Sequence, residues 1–126
     1  MDLQQYFDGT KGTGVLATAD NSGKVDVALY ARPHVLEDGT IAFIMADRLT
    51  HHNLQSNPHA AYLFVESKEM YEGKRLFLKK ISDEKNSERI KAIRRSCLCN
   101  EEKESDGKDR YLVIFKLENE LPLVGS

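Results

Sequence analysis

The stretch Ala46-Asp-Arg-Leu-Thr-His-His-Asn53 holds the densest set of groups able to do chemistry. It lies between an apolar strand pattern, Ile41 to Met45, and a short helical pattern, Thr50 to Asn57, which Pro58 ends. A helix N-terminus at that point offers unpaired N–H groups and a partial positive charge, which suits a phosphate. Arg48 can add a charge-assisted contact, Thr50 a hydroxyl and Leu49 its backbone N–H. The same residues support a plainer assignment, in which Asp47 or Thr50 caps the helix and nothing is bound. Asp47 would also repel a phosphate that it faced. Physics alone leaves both assignments open. Arg32 is the second candidate, sharing a strand face with Asp26 and Tyr30 just before Pro33. It is either a surface arginine or one beside a ligand platform.

Other reactive side chains offer less. His51 and His52 are adjacent, so on a helix they diverge by about 100°, which is poor geometry for a single metal. His34 and His59 are isolated, and a surface or packing role is expected for all four histidines. Cys97 and Cys99 are too close in sequence for an unstrained mutual disulfide and too few for a zinc site. They read as thiols at a helix end in a reducing compartment. There is no nucleophile elbow, no paired Cys or His spacing and no Gly-rich phosphate loop. The residues therefore identify neither a catalytic side chain nor a metal site.

The elements that must position these groups follow from pattern. Met1 to Asp8 reads as a short helix, ended by Gly9, Gly12 and Gly14. Strand patterns cover Gly14–Ala19, Val25–Leu36, Ile41–Met45, Ala60–Val65, Lys74–Ser82 and Arg110–Glu118. Within Val25–Leu36, Val25, Val27, Leu29 and Ala31 share one face, and Pro33 marks an edge, a bulge or the end of pairing. Asn86–Cys97 places Ile90, Ile93 and Cys97 at helical spacing against a charged face, and residues 101–110 read as an exposed loop. Six strands joined mostly by hairpin-length connections predict a mainly β (β+α) fold: a six-stranded antiparallel split barrel with two or three short helices.

Length and charge bound the function. The chain of 126 residues is one ordinary domain, 1–126. Lys plus Arg number 18 and Asp plus Glu 20, so bulk charge does not call for a polyanion partner. Residues 74–95 carry a local excess of basic groups, but few aromatics interleave with them, and a solvated helix face outweighs nucleic-acid binding. No apolar run approaches the length of a membrane span, and no signal pattern opens the chain, so a soluble cytoplasmic protein is expected. A barrel this small has little interior for a large ligand, so a site should lie on its outside.

Several segments together resemble the pyridoxamine 5′-phosphate oxidase-like, FMN-binding split-barrel family. They are Gly14-Val-Leu-Ala-Thr-Ala-Asp20, Val27-Ala-Leu-Tyr-Ala-Arg-Pro33, Thr40-Ile-Ala-Phe-Ile-Met-Ala46 and Arg48-Leu-Thr-His-His-Asn-Leu-Gln-Ser-Asn-Pro58. The resemblance is densest over residues 14–66, and the Asn53-Leu54 and Asn57-Pro58 pairs are its most specific piece. It implies FMN lying across Ala28, Leu29, Tyr30 and Ala31, with Arg32 beside them and Phe43 and Ile44 on the other side. Arg48, Leu49 and Thr50 would hold the phosphate, although the family's usual basic residues fall at the positions of Leu49 or Thr50 here. The resemblance also implies a homodimer with FMN sites at the interface, and Tyr71, Gly73 and Arg75 are candidates to complete the partner's site. A small-molecule substrate and an electron donor such as NAD(P)H would follow. The C-terminal Glu120-Leu-Pro-Leu-Val-Gly-Ser126 lacks the family's arginine- and histidine-containing substrate segment, so vitamin B6 oxidation is not expected. A non-enzymatic flavin carrier and a haem- or deazaflavin-binding split barrel are the alternatives.

Overall fold

The structure is a computed structural model that describes residues 2–96 and 109–125, without the side chains of 94–96. Cys97, Cys99 and most of the charged 101–110 segment lie outside the described residues. Seven strands form one antiparallel sheet: β1 (Gly12–Ala19), β2 (Val25–Leu29), β3 (His34–Val35), β4 (Ile41–Ala46), β5 (His59–Glu66), β6 (Gly73–Lys85) and β7 (Arg110–Pro122). Their order is β2-β1-β5-β6-β7-β4-β3. Three helices, α1 (Leu3–Asp8), α2 (Leu49–Ser56) and α3 (Glu88–Ser96), pack against it. The mainly β split-barrel expectation stands, with seven strands in place of six.

The extra strand comes from the Val25–Leu36 pattern, which is not one strand. It divides into β2 and β3, and these form the two opposite edges of the sheet. Residues 30–33 carry the chain from one edge to the other, so the sheet must curl to let them meet. Pro33 has no N–H for a ladder and biases Arg32 toward extended backbone, which breaks the pairing there. The alternation also settles differently from a half-buried strand. Val25, Val27 and Leu29 face outward and are 76%, 65% and 75% exposed, while Asp26, Ala28 and Tyr30 are partly buried.

One side chain closes the curl. Tyr62, fully buried on β5, aims its hydroxyl at the carbonyls of Tyr30 (3.2 Å) and Ala31 (3.0 Å). Burial pushes the Tyr62 phenol far above its ordinary range, so it remains a donor. Across the sheet the Tyr30 N–H donates to the Gly14 carbonyl at 3.0 Å. A Cβ at Gly14 would overlap the Tyr62 hydroxyl and the Tyr30 carbonyl, so only glycine fits under the crossing.

Inside the curl, Phe7, Leu16, Phe43, Tyr62, Phe64, Leu76, Leu78 and Phe115 belong to one buried cluster. Phe7 reaches it from α1, edge-on to Phe64 at 5.1 Å between centroids. A second cluster, Ala42, Ile90, Leu112 and Ile114 with Ile44 and Ile93 packed on it, sits on the opposite face of β4 and β7 under α3. The Ile90 and Ile93 spacing read from sequence is thus the buried stripe of α3.

Gly14→Ala is expected to destabilise the protein by about 1–3 kcal/mol through overpacking. Tyr62→Phe is expected to cost about 1–3 kcal/mol by leaving two carbonyls without their donor. Removal of the hydroxyl takes away only one of the three overlaps at Gly14, since the ring carbon Cζ and the Tyr30 carbonyl remain. The two positions touch, so urea denaturation of the double variant should show a loss that departs from the sum.

Candidate functional site

α2 begins where the apolar strand β4 ends, and its position is fixed by amides. Asn53, buried, donates from Nδ2 to the Thr18 hydroxyl on β1 at 3.1 Å. Asn57 donates to the Asp20 carbonyl at 3.4 Å and accepts from the His59 N–H at 3.1 Å. Leu54 is buried between these two ties. The Asn53-Leu54 and Asn57-Pro58 pattern therefore seats α2 on the sheet.

The N-cap of α2 is Arg48, with extended backbone and no side-chain cap. Neither Asp47 nor Thr50 caps the helix, so the capping assignment is not realised. The N–H groups of Leu49, Thr50 and His51 have no partner inside the helix. Arg48 and Leu49 are exposed, while Thr50 is buried, and its hydroxyl hydrogen-bonds the Tyr30 phenol. Burial raises the Tyr30 phenol, with Thr50 and Arg48 acting against that rise. Tyr30 is thereby the link between the β2 end and the start of α2. Beside it, β3 pairs only with Ile41 and Ala42, so from Phe43 to Ala46 β4 has no strand partner on that side.

Other residues named from sequence have different surroundings. Phe43 is a core side chain, 5.7 Å from the Tyr30 ring and 5.1 Å from the Tyr62 ring between centroids. Ile44 points to the other face, into the cluster under α3. As strand neighbours the two cannot present side chains to one ligand. Arg32 donates from Nη1 to the Phe7 carbonyl at the end of α1. Ala28 lies half-buried on β2, and Leu29 and Ala31 are exposed. Arg75 donates to the Pro122 carbonyl at 2.8 Å and to the Gly125 carbonyl, tying the C-terminal segment to β6. Tyr71 and Gly73 line a shallow groove of about 440 Å³ with Glu66, Lys68, Glu72 and residues 122–124. Tyr6 donates to Glu66 at 2.5 Å, and this bond and Lys68 hold the Glu66 carboxyl below its usual range.

One cluster escaped the sequence reading. His51, 6% exposed, directs Nε2 to Asp83 Oδ2 at 2.7 Å and Nδ1 to Asp47 Oδ1 at 3.5 Å. Its ring stacks on Tyr111 at 3.8 Å, and Gln55 donates to the same Asp83 oxygen at 2.9 Å. A packing role was expected for the histidine, but nothing in the spacing of residues 51 and 83 announces the pair. The basic excess of residues 74–95 is partly matched in place: Lys74 pairs with Glu120, Lys85 with Asp109 and Arg89 with Glu84. Among the described residues no three His, Cys, Asp or Glu side chains gather as a metal site, and no helix is long and apolar enough to cross a membrane.

No family model matches the sequence, and no curated protein matches it significantly. Solved structures do match. An FMN-binding protein from Syntrophomonas wolfei superposes with a TM-score of 0.78 at 18% identity, over 99% of this chain and 86% of that one. A pyridoxamine 5′-phosphate oxidase homologue from Lactobacillus delbrueckii gives 0.69 at 12% identity, over 96% and 92%. HutZ, the haem storage protein of Vibrio cholerae, gives 0.66 at 16%, over 94% and 90%. An F420 reductase shares the fold as well. At these identities the likeness establishes architecture. The chain has the split-barrel fold of the FMN-binding, pyridoxamine 5′-phosphate oxidase-like proteins, a fold that haem- and F420-associated proteins also use.

Asn53→Ala should cost about 1–3 kcal/mol, since it leaves the buried Thr18 hydroxyl without its partner and loosens α2. A shift in urea midpoint with unchanged m-value would report it.

Proposed function

We propose that this chain is a member of the pyridoxamine 5′-phosphate oxidase-like family that binds FMN and serves as a flavin-dependent oxidoreductase. Its substrate would be a small molecule and its electron donor a reduced nicotinamide such as NAD(P)H. The observation that carries the reading is the uncapped start of α2, bearing Arg48 and joined through Thr50 to Tyr30, in a fold shared with an FMN-binding protein.

The residues suit the group. The N–H groups of Leu49 and Thr50 would receive the phosphate, with Arg48 adding a charge-assisted contact. The end of β2, Ala28 to Ala31, would offer backbone groups to the ring edge, with Arg32 near them. The Tyr30 phenol, half-buried and hydrogen-bonded to Thr50, would fix the distance between ring and phosphate subsites. The edge of β4 past its β3 partner would add backbone groups at the partly exposed Ile44 and Ala46, whereas the Phe43 and Ile44 side chains stabilise the walls from behind. Bound flavin would supply the redox chemistry, and the protein needs only to orient it and control access. That division agrees with the missing catalytic motif.

The outward face of β2 supports a homodimer. Three large aliphatic side chains in a row on an edge strand are costly to leave in water and offer a template for a second chain. FMN sites at that interface would be completed by the partner, and the Tyr71 and Gly73 groove is a candidate contribution.

Titration of the purified protein with FMN should quench flavin fluorescence saturably. Failure to bind FMN, with haem or F420 taken up instead, would favour the second reading, which the haem storage and F420 reductase neighbours support. Bleaching by NAD(P)H with turnover of an acceptor would separate an enzyme from a carrier. Arg48→Glu is expected to weaken FMN about tenfold, a loss of roughly 1.4 kcal/mol, and to leave riboflavin nearly unaffected. Leu29→Glu should shift sedimentation from dimer to monomer while far-UV circular dichroism stays native-like.

A further inference from the structure

We propose that the aromatic rings of the barrel core form a one-electron relay from Tyr6 on α1 to Tyr30 at the candidate flavin site, with Glu66 taking the Tyr6 proton. The proposal rests on the flavin reading above, and its oxidant is bound flavin excited by visible light. The rings follow one another in series. Tyr30 lies edge-on to Phe43 at 5.7 Å between centroids, and Phe43 lies 5.1 Å from Tyr62. From Tyr62 two rings lead on, Phe7 and Phe64, each at 6.4 Å. Both reach Tyr6, at 5.0 and 6.0 Å. The middle rings are exposed by 2% or less, whereas Tyr30 and Tyr6 are only partly buried. The series therefore joins the start of α2 to the Glu66 end of β5 through the interior. Phe43 is its single ring link between Tyr30 and Tyr62 among the described residues.

The three phenols differ in what stands ready to receive a proton. Tyr30 meets the Thr50 hydroxyl, and Tyr62 meets the Tyr30 and Ala31 carbonyls. Neither a hydroxyl nor a peptide carbonyl is a useful base near neutral pH. Tyr6 instead donates to Glu66 Oε2 at 2.5 Å, a carboxylate that this bond and Lys68 keep ionised. Lys74 holds its ammonium 4.8 Å from the centre of the Tyr6 ring, where it opposes positive charge on that ring. An electron therefore leaves Tyr6 only as its proton crosses to Glu66. The Tyr6 O–H bond breaks, an O–H bond forms on Glu66, and one electron passes to the excited flavin. Tyr6 is left as a neutral radical and Glu66 as a neutral acid. Tyr30 and Tyr62 carry the electron hole only in passing, because neither can shed its proton. A core that served packing alone would need the ring contacts but no carboxylate at the end of the series.

The test illuminates the full chain with FMN bound and protein in excess. Electron paramagnetic resonance records the tyrosyl radical, and transient absorption records its rise. Wild type should give the signal, and Tyr6→Phe should lose it. Glu66→Gln keeps the ring and a hydrogen-bond acceptor but removes the base, so the yield should fall about tenfold. Phe43→Leu removes the single link and no tyrosine, so the rise should slow about tenfold. Tyr111→Phe, whose ring stacks on His51 outside the series, should keep the full signal. Three results overturn the relay while leaving FMN binding intact: no radical in FMN-loaded wild type, an undiminished radical in Tyr6→Phe or Glu66→Gln, or an unslowed rise in Phe43→Leu. If Phe43→Leu does not fold, the two variants at the partly exposed Tyr6 and Glu66 decide. Failure of wild type to bind FMN overturns the flavin reading and the relay with it.

Discussion

The hydroxyl of Tyr62 is the contact on which the architecture turns. A strand-rich chain that sends one segment from one sheet edge to the other must leave carbonyls of that segment inside, away from any ladder. Tyr62 supplies the donor, and burial keeps it a donor. Gly14 gives up a side chain so that the phenol and the crossing backbone can approach. The same closure brings Tyr30 against Phe43 and its phenol to Thr50. The candidate site is therefore a by-product of how the barrel is shut: its proposed ring side and phosphate side are joined through Tyr30, whose carbonyl accepts from Tyr62.

The sheet explains why the ligand surface must be external. Tyr62, Phe64, Phe43 and Phe115 fill the interior to zero or nearly zero exposure. Polar capacity survives at the rims, where β3 ends early beside β4 and where α2 begins without a cap. The two rims adjoin, so a ligand with a planar hydrogen-bonding ring at one end and an anion at the other fits the chemistry on offer. The outward aliphatic row on β2 lies on the strand that leads into this rim, so in the proposed reading assembly and binding share one surface.

Much of this was legible in the sequence where a local pattern answers to one local cause. The apolar run of β4, the α2 stop at Pro58 and the Ile90 and Ile93 stripe of α3 all settle where periodicity puts them. The Asn53 and Asn57 pattern was legible as a family feature, and the structure supplies its physics, two amide ties to β1 and its turn. What was not legible depends on distant partners. The Val25–Leu36 alternation runs through a break that only the demand for edge-to-edge crossing reveals. Ile44 stands beside the flavin in the resemblance until α3 is seen to cover its side chain. Arg32 reads as a ligand-side cation until α1 offers a carbonyl. The His51 pair depends on β6 bringing Asp83 against α2, a juxtaposition that no short-range spacing encodes.

The strand order carries a consequence for how the chain is made. β4, almost wholly apolar, pairs along its full length only with β7, which is made after the other six strands. Until then the β1, β2, β5 and β6 pairings can form among themselves, while β4 has only its short β3 partner at Ile41 and Ala42 and Phe43–Ala46 waits without a strand. Such a delay exposes an aggregation-prone segment until β7 is made. Early docking of α2 onto β1 through Asn53 would hold the end of that segment against the nascent sheet, giving the two asparagines a role in biogenesis as well as in the finished fold.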